Sequence, residues 1–250
     1  MMNEIELIYR DPMGIGQISC FWCRETQSTM MLASLMYRDG MLAVRTEFQH
    51  TGRGRGIERR WHASAGKNLL CTLAVPCVQA GIALQLIPLA AGCAVAEVLE
   101  SAAPGMHAQI KWPNDVMVSG KKIAGILCEA ARQCIFIGIG VNVNETEFAF
   151  TGKSEPSSLY LEAGSEHDLG QVYQDLLQEL PPFLSLHDAP ERIRARLYGL
   201  GRKVEMISGA ADITKPLQGM LSGIADDGAL VIDTSAGREY IYSGEITRFL

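Results

Sequence analysis

The sequence has no apolar run long enough to cross a membrane. The longest run, residues 80–96, is shorter than the ~20 residues that a span requires, and it contains Gln85 and Pro88. We interpret it as a buried core helix with Pro88 near its first turn. No signal-peptide pattern is found in the first residues, which predicts a cytoplasmic protein.

The sequence also lacks the even, regularly spaced cysteines of a disulfide framework. Its seven cysteines are an odd number, and most lie in apolar runs, which predicts buried thiols in a reducing compartment. Cys20 and Cys23 form a CxxC pair of the kind found in redox and metal sites. Because no second CxxC follows and the five histidines show no ligand spacing, the redox and metal readings are disfavoured.

Positive charge is not in excess either. Lys and Arg total 22 against 28 Asp and Glu, so the net charge is −6 and the chain as a whole repels phosphate backbones. Any affinity for nucleic acid would need a local basic patch. The apolar fraction of 48% is that of an ordinary globular protein, and 250 residues suit one large domain or a medium domain with a small appendage.

The pattern of apolar and turn residues predicts an α+β fold with a largely antiparallel sheet. A strand and a helix that begins at Ser28 or Thr29 and stops at Gly40 precede a strand at 41–48. After the core helix come β-like segments, with a hairpin turn at Ser119-Gly120.

The last eighty residues divide into two parts. Residues 168–198 are predicted to be helical, in two pieces broken at Pro181-Pro182. From Gly199 onward, short strands alternate with Gly- and Asp-rich turns, which predicts a small antiparallel β-barrel. We therefore expect a mixed α/β domain over residues 1–198 and a barrel over 199–250.

The stretch HTGRGRGIERRW, residues 50–61, concentrates arginine and glycine. Its glycines leave backbone N–H groups accessible, and Arg53 and Arg55 project to the same side of an extended segment. The loop matches neither GxGxxG nor the Walker pattern. From composition alone, an anion-binding loop, a solvated basic turn and an RNA-binding segment all remain open.

Two further stretches carry candidate functional residues. In KWPNDVMVSGKKIAGIL, Asp115 either caps a turn or serves a site, and Lys122 either extends to solvent or points into a cleft. In IGIGVNVN, Gly138 and Gly140 leave one strand face bare, which indicates a bulge or a close ligand approach. Asn142 follows with the same period.

Taken together and in this order, these motifs closely resemble those of the biotin protein ligases, from about residue 20 to the C-terminus. The resemblance implies a catalytic domain like that of class II synthetases and a C-terminal SH3-like barrel. It also implies an enzyme that uses ATP and Mg²⁺ to make biotinyl-5′-AMP and then transfers biotin to a lysine of a biotin carboxyl carrier domain, as in acetyl-CoA carboxylase. A homodimer is a further expectation, since the family often dimerises.

The resemblance also assigns residues to roles. The expected biotin-binding residues are Ser28, Thr29, Met30, Gln49, Arg53, Gly54, Arg55, Lys122, Gly138 and Gly140. The expected adenylate-binding residues are Arg55, Trp61, Lys122 and Asn142. Lys122, Arg55, Arg53 and Asp115 are the expected catalytic residues, and Asp115 is the candidate for holding metal.

The chain departs from the family pattern at two places. Met30 stands where the family usually has Asn after the Ser-Thr pair, and the arginine loop is one residue longer around Ile57-Glu58. Some family members also carry an N-terminal DNA-binding domain. Because fewer than thirty residues precede Ser28, we expect no specific binding of nucleic acid.

Three alternative functions compete with biotin ligation. A lipoate or octanoate ligase of the same superfamily would share the lysine but not the GRGRG loop and KWPND. A basic-loop RNA-binding protein is opposed by the net charge and by the lack of aromatic residues among the arginines. A biotin-binding protein without catalysis is opposed by the presence of Arg53, Arg55 and Lys122.

Overall fold

The computed structural model describes residues 6–13, 16–56, 59–148, 154–185, 188–210 and 213–250. Its larger sheet has eight strands in the order β1-β2-β3-β4-β8-β7-β6-β5. The strands are β1 (Glu6–Met13), β2 (Gly16–Thr26), β3 (Met41–Gln49), β4 (Leu69–Pro76), β5 (Ala108–Lys111), β6 (Asp115–Val118), β7 (Lys121–Ala131) and β8 (Cys134–Val141). All neighbours are antiparallel except β2 and β3, so the sheet is mixed but largely antiparallel, as predicted.

Five helices accompany this sheet in the described part of the chain. They are α1 (Thr29–Met36), α2 (Ile87–Ala102), α3 (Leu159–Ala163), α4 (Leu169–Phe183) and α5 (Ala189–Ala195). The short α1 connects the parallel pair β2 and β3, which is the kind of crossover that parallel neighbours require. It packs on one sheet face with Leu42, Val44 and Phe136, whereas α2 and α4 share the main core on the other.

Burial on both faces explains why β4 reads as a continuous apolar run. Seven of its eight residues are buried, Leu69 through Val75. Leu69, Leu73 and Val75 belong to the core under α2, and Ala74 belongs to the cluster under α1. The strand therefore lies at the centre of the domain, where it connects the two cores.

The C-terminal residues form a second, antiparallel sheet in the order β12-β11-β10-β9-β13. Its strands are β9 (Lys203–Ala210), β10 (Ile213–Ile224), β11 (Leu230–Thr234), β12 (Gly237–Ile241) and β13 (Gly244–Phe249). This agrees with the short strands expected from Gly199 onward. In the described residues no helix is both long and apolar enough to cross a membrane.

Local details agree with the sequence at some positions and differ at others. Ser119 and Gly120 both have positive φ, 52° and 77°, as a tight hairpin turn requires. Helix α1 ends at Met36, before the predicted stop at Gly40. The expected break at Pro181-Pro182 is also displaced: both prolines lie inside the last turn of α4, which ends at Phe183.

Candidate active site

One row of directly paired residues forms the floor of the site. Lys111 pairs with Asp115, Asp115 with Gly125, and Gly125 with Gly140, so the row crosses four neighbouring strands. Residues directly opposite one another on paired strands share a face. The two glycines therefore leave a bare surface, which has ionic side chains at one end.

A β-bulge brings Lys122 to this floor. The register between β6 and β7 shifts between Val116 and Met117. In a regular strand Lys122 and Gly125, three positions apart, would face opposite sides. After the bulge, a Cβ added at Gly125 would lie 3.3 Å from Lys122 Nζ, so the two share a side.

Lys122 and Asp115 form a close ion pair. Nζ of Lys122 lies 2.6 Å from Oδ1 of Asp115, and the two side chains are 29% and 21% exposed. The ammonium also lies 5.5 Å from the centre of the Trp61 ring, within range of a cation–π contact. The lysine thus points into the cleft rather than into solvent, which decides between the two directions that its motif leaves open.

The start of α1 supplies the polar end of the site. The backbone N–H and the hydroxyl of Thr29 both donate to Oε1 of Gln49, at 2.8 and 3.1 Å. Thr72 in turn donates to the Thr29 hydroxyl at 2.9 Å. Ser28 is the buried N-cap residue of the helix, and its side chain makes no capping hydrogen bond. These neutral donors and acceptors suit a small polar, uncharged group.

The arginine-rich loop is a short hairpin. Arg53 bridges Arg60, Gly54 N–H donates to the Arg59 carbonyl at 2.8 Å, and Trp61 N–H donates to the Gly52 carbonyl at 3.0 Å. A Cβ at Gly52 would lie 2.6 Å from the Trp61 carbonyl oxygen, so this position requires glycine. The longer part of the loop, Ile57-Glu58, lies outside the described residues. We call the described residues 52–56 and 59–61 the arginine hairpin.

Arg53 and Arg55, which are expected to bind biotin and to take part in catalysis, both contact other parts of the protein. Arg53 forms a two-pronged ion pair with Glu129 on β7. Arg55 donates to the Gly244 carbonyl at 2.6 Å and to the Ser243 hydroxyl at 3.3 Å, and burial lowers the pKa of its guanidinium. The hairpin is thus attached both to the large sheet and to the C-terminal sheet.

Two side chains cover the glycines of β8. A Cβ at Gly140 would lie 2.5 Å from Cε2 of Trp61, and one at Gly138 would lie 2.8 Å from Sδ of Met30. The indole Nε1 of Trp61 is buried and has no hydrogen-bond partner among the described residues. The structure therefore places these two side chains, rather than open space, against Gly138 and Gly140, which the resemblance assigns to biotin binding.

These elements enclose one cavity of about 470 Å³, within the range of small-molecule sites. Apart from Asn142, every residue predicted to bind or catalyse lines it: Ser28, Thr29, Met30, Gln49, Arg53, Gly54, Arg55, Trp61, Asp115, Lys122, Gly138 and Gly140. The cavity joins a neutral polar end to a cationic end. Its shape and charge suit a ligand with an uncharged polar head and an anionic tail.

Asn142 is buried away from this lining. Its side-chain amide donates to the Ser157 carbonyl at 2.9 Å, and its backbone N–H donates to the Ile123 carbonyl. The residue thus fastens the chain around Ser157 to the end of β8. Because Asn142 does not line the cavity, its expected contact with the adenylate stays a prediction.

Several lining residues were not predicted. Lys111 lines the cavity and donates to the Ser154 hydroxyl at 3.0 Å, and Glu245 enters from the C-terminal sheet. Asn114 supports the site, since its side chain donates to the Ile126 carbonyl at 2.7 Å. Because Lys111 is the first residue of the KWPND motif, its positive charge was the sequence signal that could have identified it as a site residue. Nothing in the local sequence connects Glu245 to residues so distant in the chain.

Family models and known proteins show which family this chain belongs to. Residues 22–142 match the biotin/lipoate A/B protein ligase family, and residues 199–248 match the biotin protein ligase C-terminal domain. The structure is similar to biotin protein ligase from Aquifex aeolicus in complex with biotin and ATP, with a TM-score of 0.81 and 27% identity. That match covers 92% of this chain and 99% of the other.

Two curated relatives point to the same family. The bifunctional ligase/repressor BirA of Bacillus subtilis is 33% identical over 96% of this chain and 73% of its own length. A biotin–[acetyl-CoA-carboxylase] ligase of Paracoccus denitrificans is 32% identical over 79% of this chain and 86% of its own length. The chain belongs to the biotin protein ligase family, and the predicted enzyme class is confirmed.

Proposed function

We propose that this ATP-dependent biotin ligase carries out both of its steps in the cavity beneath the arginine hairpin. In the first step a carboxylate oxygen of biotin attacks the α-phosphorus of ATP, which forms biotinyl-5′-AMP and releases pyrophosphate. In the second step the amine of an acceptor lysine attacks the biotinyl carbonyl carbon, which forms an amide and releases AMP. The observation that carries this proposal is the joining of a neutral polar end and a cationic end in one cavity.

The polar end suits the ureido group of biotin. Ser28, Thr29 and Gln49 line the cavity there, and the hydrogen bonds among Thr29, Gln49 and Thr72 restrict the orientation of Thr29 and Gln49. Hydrogen bonding by preorganised groups gives specificity at little entropic cost. Met30 and Trp61 supply the apolar surfaces that flank the ring system and the adenylate.

The cationic end suits the reacting anions. The biotin carboxylate and the α-phosphate repel each other, so bringing them together requires positive charge. The ammonium of Lys122 projects from the sheet floor, and its ion pair with Asp115 at 2.6 Å fixes its position. We assign Lys122 to the charge that develops on the phosphoryl group, and Asp115 to the orientation of that lysine.

Mg²⁺ enters this scheme with ATP rather than in a cage of protein ligands. Among the described residues, no group of three or more His, Cys, Asp or Glu side chains could hold a metal ion. The two carboxylates in the cavity lining, Asp115 and Glu245, are paired with Lys122 and Arg59. Mg²⁺ is commonly bound by phosphates and one or two carboxylates. We assign Asp115 to it through Oδ2, because Oδ1 is the oxygen that orients Lys122.

The partner we propose is a biotin carboxyl carrier domain, and we propose a cytoplasmic location. All seven cysteines lie in the described residues and none of them forms a disulfide bond there, which supports a reducing compartment. The net charge of −6 supports the absence of a nucleic-acid partner. A gel shift with operator DNA that requires biotin and ATP would contradict that absence. The homodimer expected from the resemblance is tested by sedimentation of the purified enzyme.

The decisive experiment is transfer of labelled biotin to a purified carrier domain, with and without ATP. We expect label on the acceptor lysine only with ATP, and pyrophosphate release that depends on biotin. Lipoate and octanoate serve as parallel substrates. Pyrophosphate release with lipoate or octanoate but not with biotin would overturn the assignment.

A further inference from the structure

One charged pair attaches the arginine hairpin to β7, and a second, between Arg59 and Glu245, attaches it to the C-terminal sheet. Nη1 of Arg53 lies 2.9 Å from Oε1 of Glu129, and Nη2 lies 3.0 Å from Oε2, so the guanidinium and carboxylate meet in parallel. This is the strongest geometry for an arginine–carboxylate contact. The side chains are 41% and 44% exposed, so water can compete with the pair.

Glu129 has no part in the cavity itself. It lies near the end of β7, the strand that also carries Lys122 and Gly125, and it is absent from the residues that line the cavity. Arg53, in contrast, lies in the hairpin and does line it. The pair therefore connects the covering segment to the strand that presents the catalytic lysine.

We propose that Glu129 is a positioning residue that holds the arginine hairpin closed through Arg53. While the pair is formed, the guanidinium of Arg53 is engaged in fixing the hairpin, whose Gly54 and Trp61 then cover the cavity. When the pair breaks, the hairpin loses its charged contact with β7 and keeps only the packing of Trp61 against Gly125 there. This inference rests on the proposed function, because the closed hairpin is what keeps water from biotinyl-5′-AMP and retains it until the acceptor arrives.

The expected size of the effect follows from the exposure of the pair. Exposed ion pairs contribute little, although two-pronged geometry places this one at the upper end of the range. We expect Glu129→Gln to shorten the lifetime of enzyme-bound biotinyl-5′-AMP by roughly threefold to tenfold. We also expect trypsin to cut the ligand-free hairpin faster in the variant, because its arginines become more accessible.

The experiment follows the loss of bound intermediate from the full chain. Enzyme loaded with labelled biotin and ATP is freed of excess ligand, and retained biotinyl-5′-AMP is measured over time for the parent and Glu129→Gln. Asp233→Asn is the matched control, since Arg238 and Asp233 form a similar two-pronged pair in the C-terminal sheet, with Asp233 43% exposed. The control should retain the intermediate as long as the parent does.

A second background tests whether Glu129 acts through Arg53. In Arg53→Gln enzyme, adding Glu129→Gln should change neither the release rate nor the trypsin rate further. An unchanged lifetime in the single variant, or an equal acceleration in the Arg53→Gln background, would overturn the inference. If the parent forms no biotinyl-5′-AMP, the proposed function fails instead, and the trypsin rates alone decide whether Glu129 holds the hairpin.

Discussion

The thioether of Met30 lies directly on Gly138: a Cβ added to that glycine would be 2.8 Å from Sδ and 2.9 Å from Cγ. Met30 is only 5% exposed, so its side chain has little room to withdraw. This contact fills the position above β8 with an apolar, adaptable group. The pair therefore shapes the part of the cavity in which we propose that the ring of biotin binds.

We expect Gly138→Ala to raise the KM for biotin at least severalfold, because its new methyl group collides with Met30. Adding Met30→Ala should recover most of the loss, since it removes the colliding atoms and leaves a cavity that the new methyl group partly fills. Biotin-dependent pyrophosphate release measures both effects. If the double variant binds biotin no better than Gly138→Ala, the contact does not shape the ring site.

Lys122→Ala should slow formation of biotinyl-5′-AMP by roughly a hundredfold or more, the range seen when one preorganised donor is removed. Biotin binding should weaken much less, because the polar end of the cavity remains intact. Single-turnover adenylation and equilibrium binding separate the two effects.

The neighbouring Lys121 provides the control for this prediction. It pairs with Glu155 at the surface, 3.2 Å away, so Lys121→Ala should behave like the parent. Equal losses of binding and adenylation in Lys122→Ala would contradict a role for its ammonium in the reaction.

Arg55→Gly should release biotinyl-5′-AMP early, by about tenfold or more, because the hairpin loses its charged hydrogen bonds to the Gly244 carbonyl and the Ser243 hydroxyl. Ser243→Ala should have a smaller effect, since the shorter bond to the carbonyl remains. Retention of the labelled intermediate measures both. If Arg55→Gly retains biotinyl-5′-AMP as long as the parent does, the arginine hairpin does not act as a lid.

Glu145 should make stability depend on acid pH. Burial raises the pKa of this carboxyl, but hydrogen bonds from Ser64 and Asn68 outweigh burial and hold it below its ordinary value of 4.5. A carboxyl with a lowered pKa in the folded state stabilises the protein above its unfolded-state pKa. That contribution is lost as pH falls through the lower, folded-state pKa.

The free energy of unfolding should therefore fall below about pH 4.5, and Glu145→Gln should flatten that fall. Denaturant unfolding between pH 3 and 6 tests this. Glu147→Gln, at an exposed position two residues further along, is the control and should keep the pH profile of the parent. Parallel profiles for Glu145→Gln and the parent would refute the prediction.

Local sequence was sufficient for most of the strands and for the turn at Ser119-Gly120, because apolar alternation and turn residues act over a few neighbours. Local sequence did not predict strand β1 or the residue at which α4 ends. Two consecutive prolines predict a break, and α4 does end at Phe183, directly after them, but both prolines still belong to its last turn. Each proline lacks the N–H that would bond the carbonyl four residues back, so the helix ends soon after them and not at them.

The site was predictable in its residue types but not in its contacts. The direction of Lys122 depends on a bulge in the pairing of β6 with β7, and register is a property of two strands rather than of one. The partner of Arg53 lies 76 residues away and that of Arg55 lies 189 residues away. No pattern within the hairpin itself contains that information.

The distance between Arg55 and Gly244 has a consequence for how the enzyme is made. The hairpin is synthesised before its anchor, which lies at the start of β13. During translation the 189 positions from Arg55 to Gly244 must be added before this contact can form, and contacts of such long sequence separation form late in folding. A nascent enzyme can therefore build its sheet and pocket floor before it can close over an activated ligand.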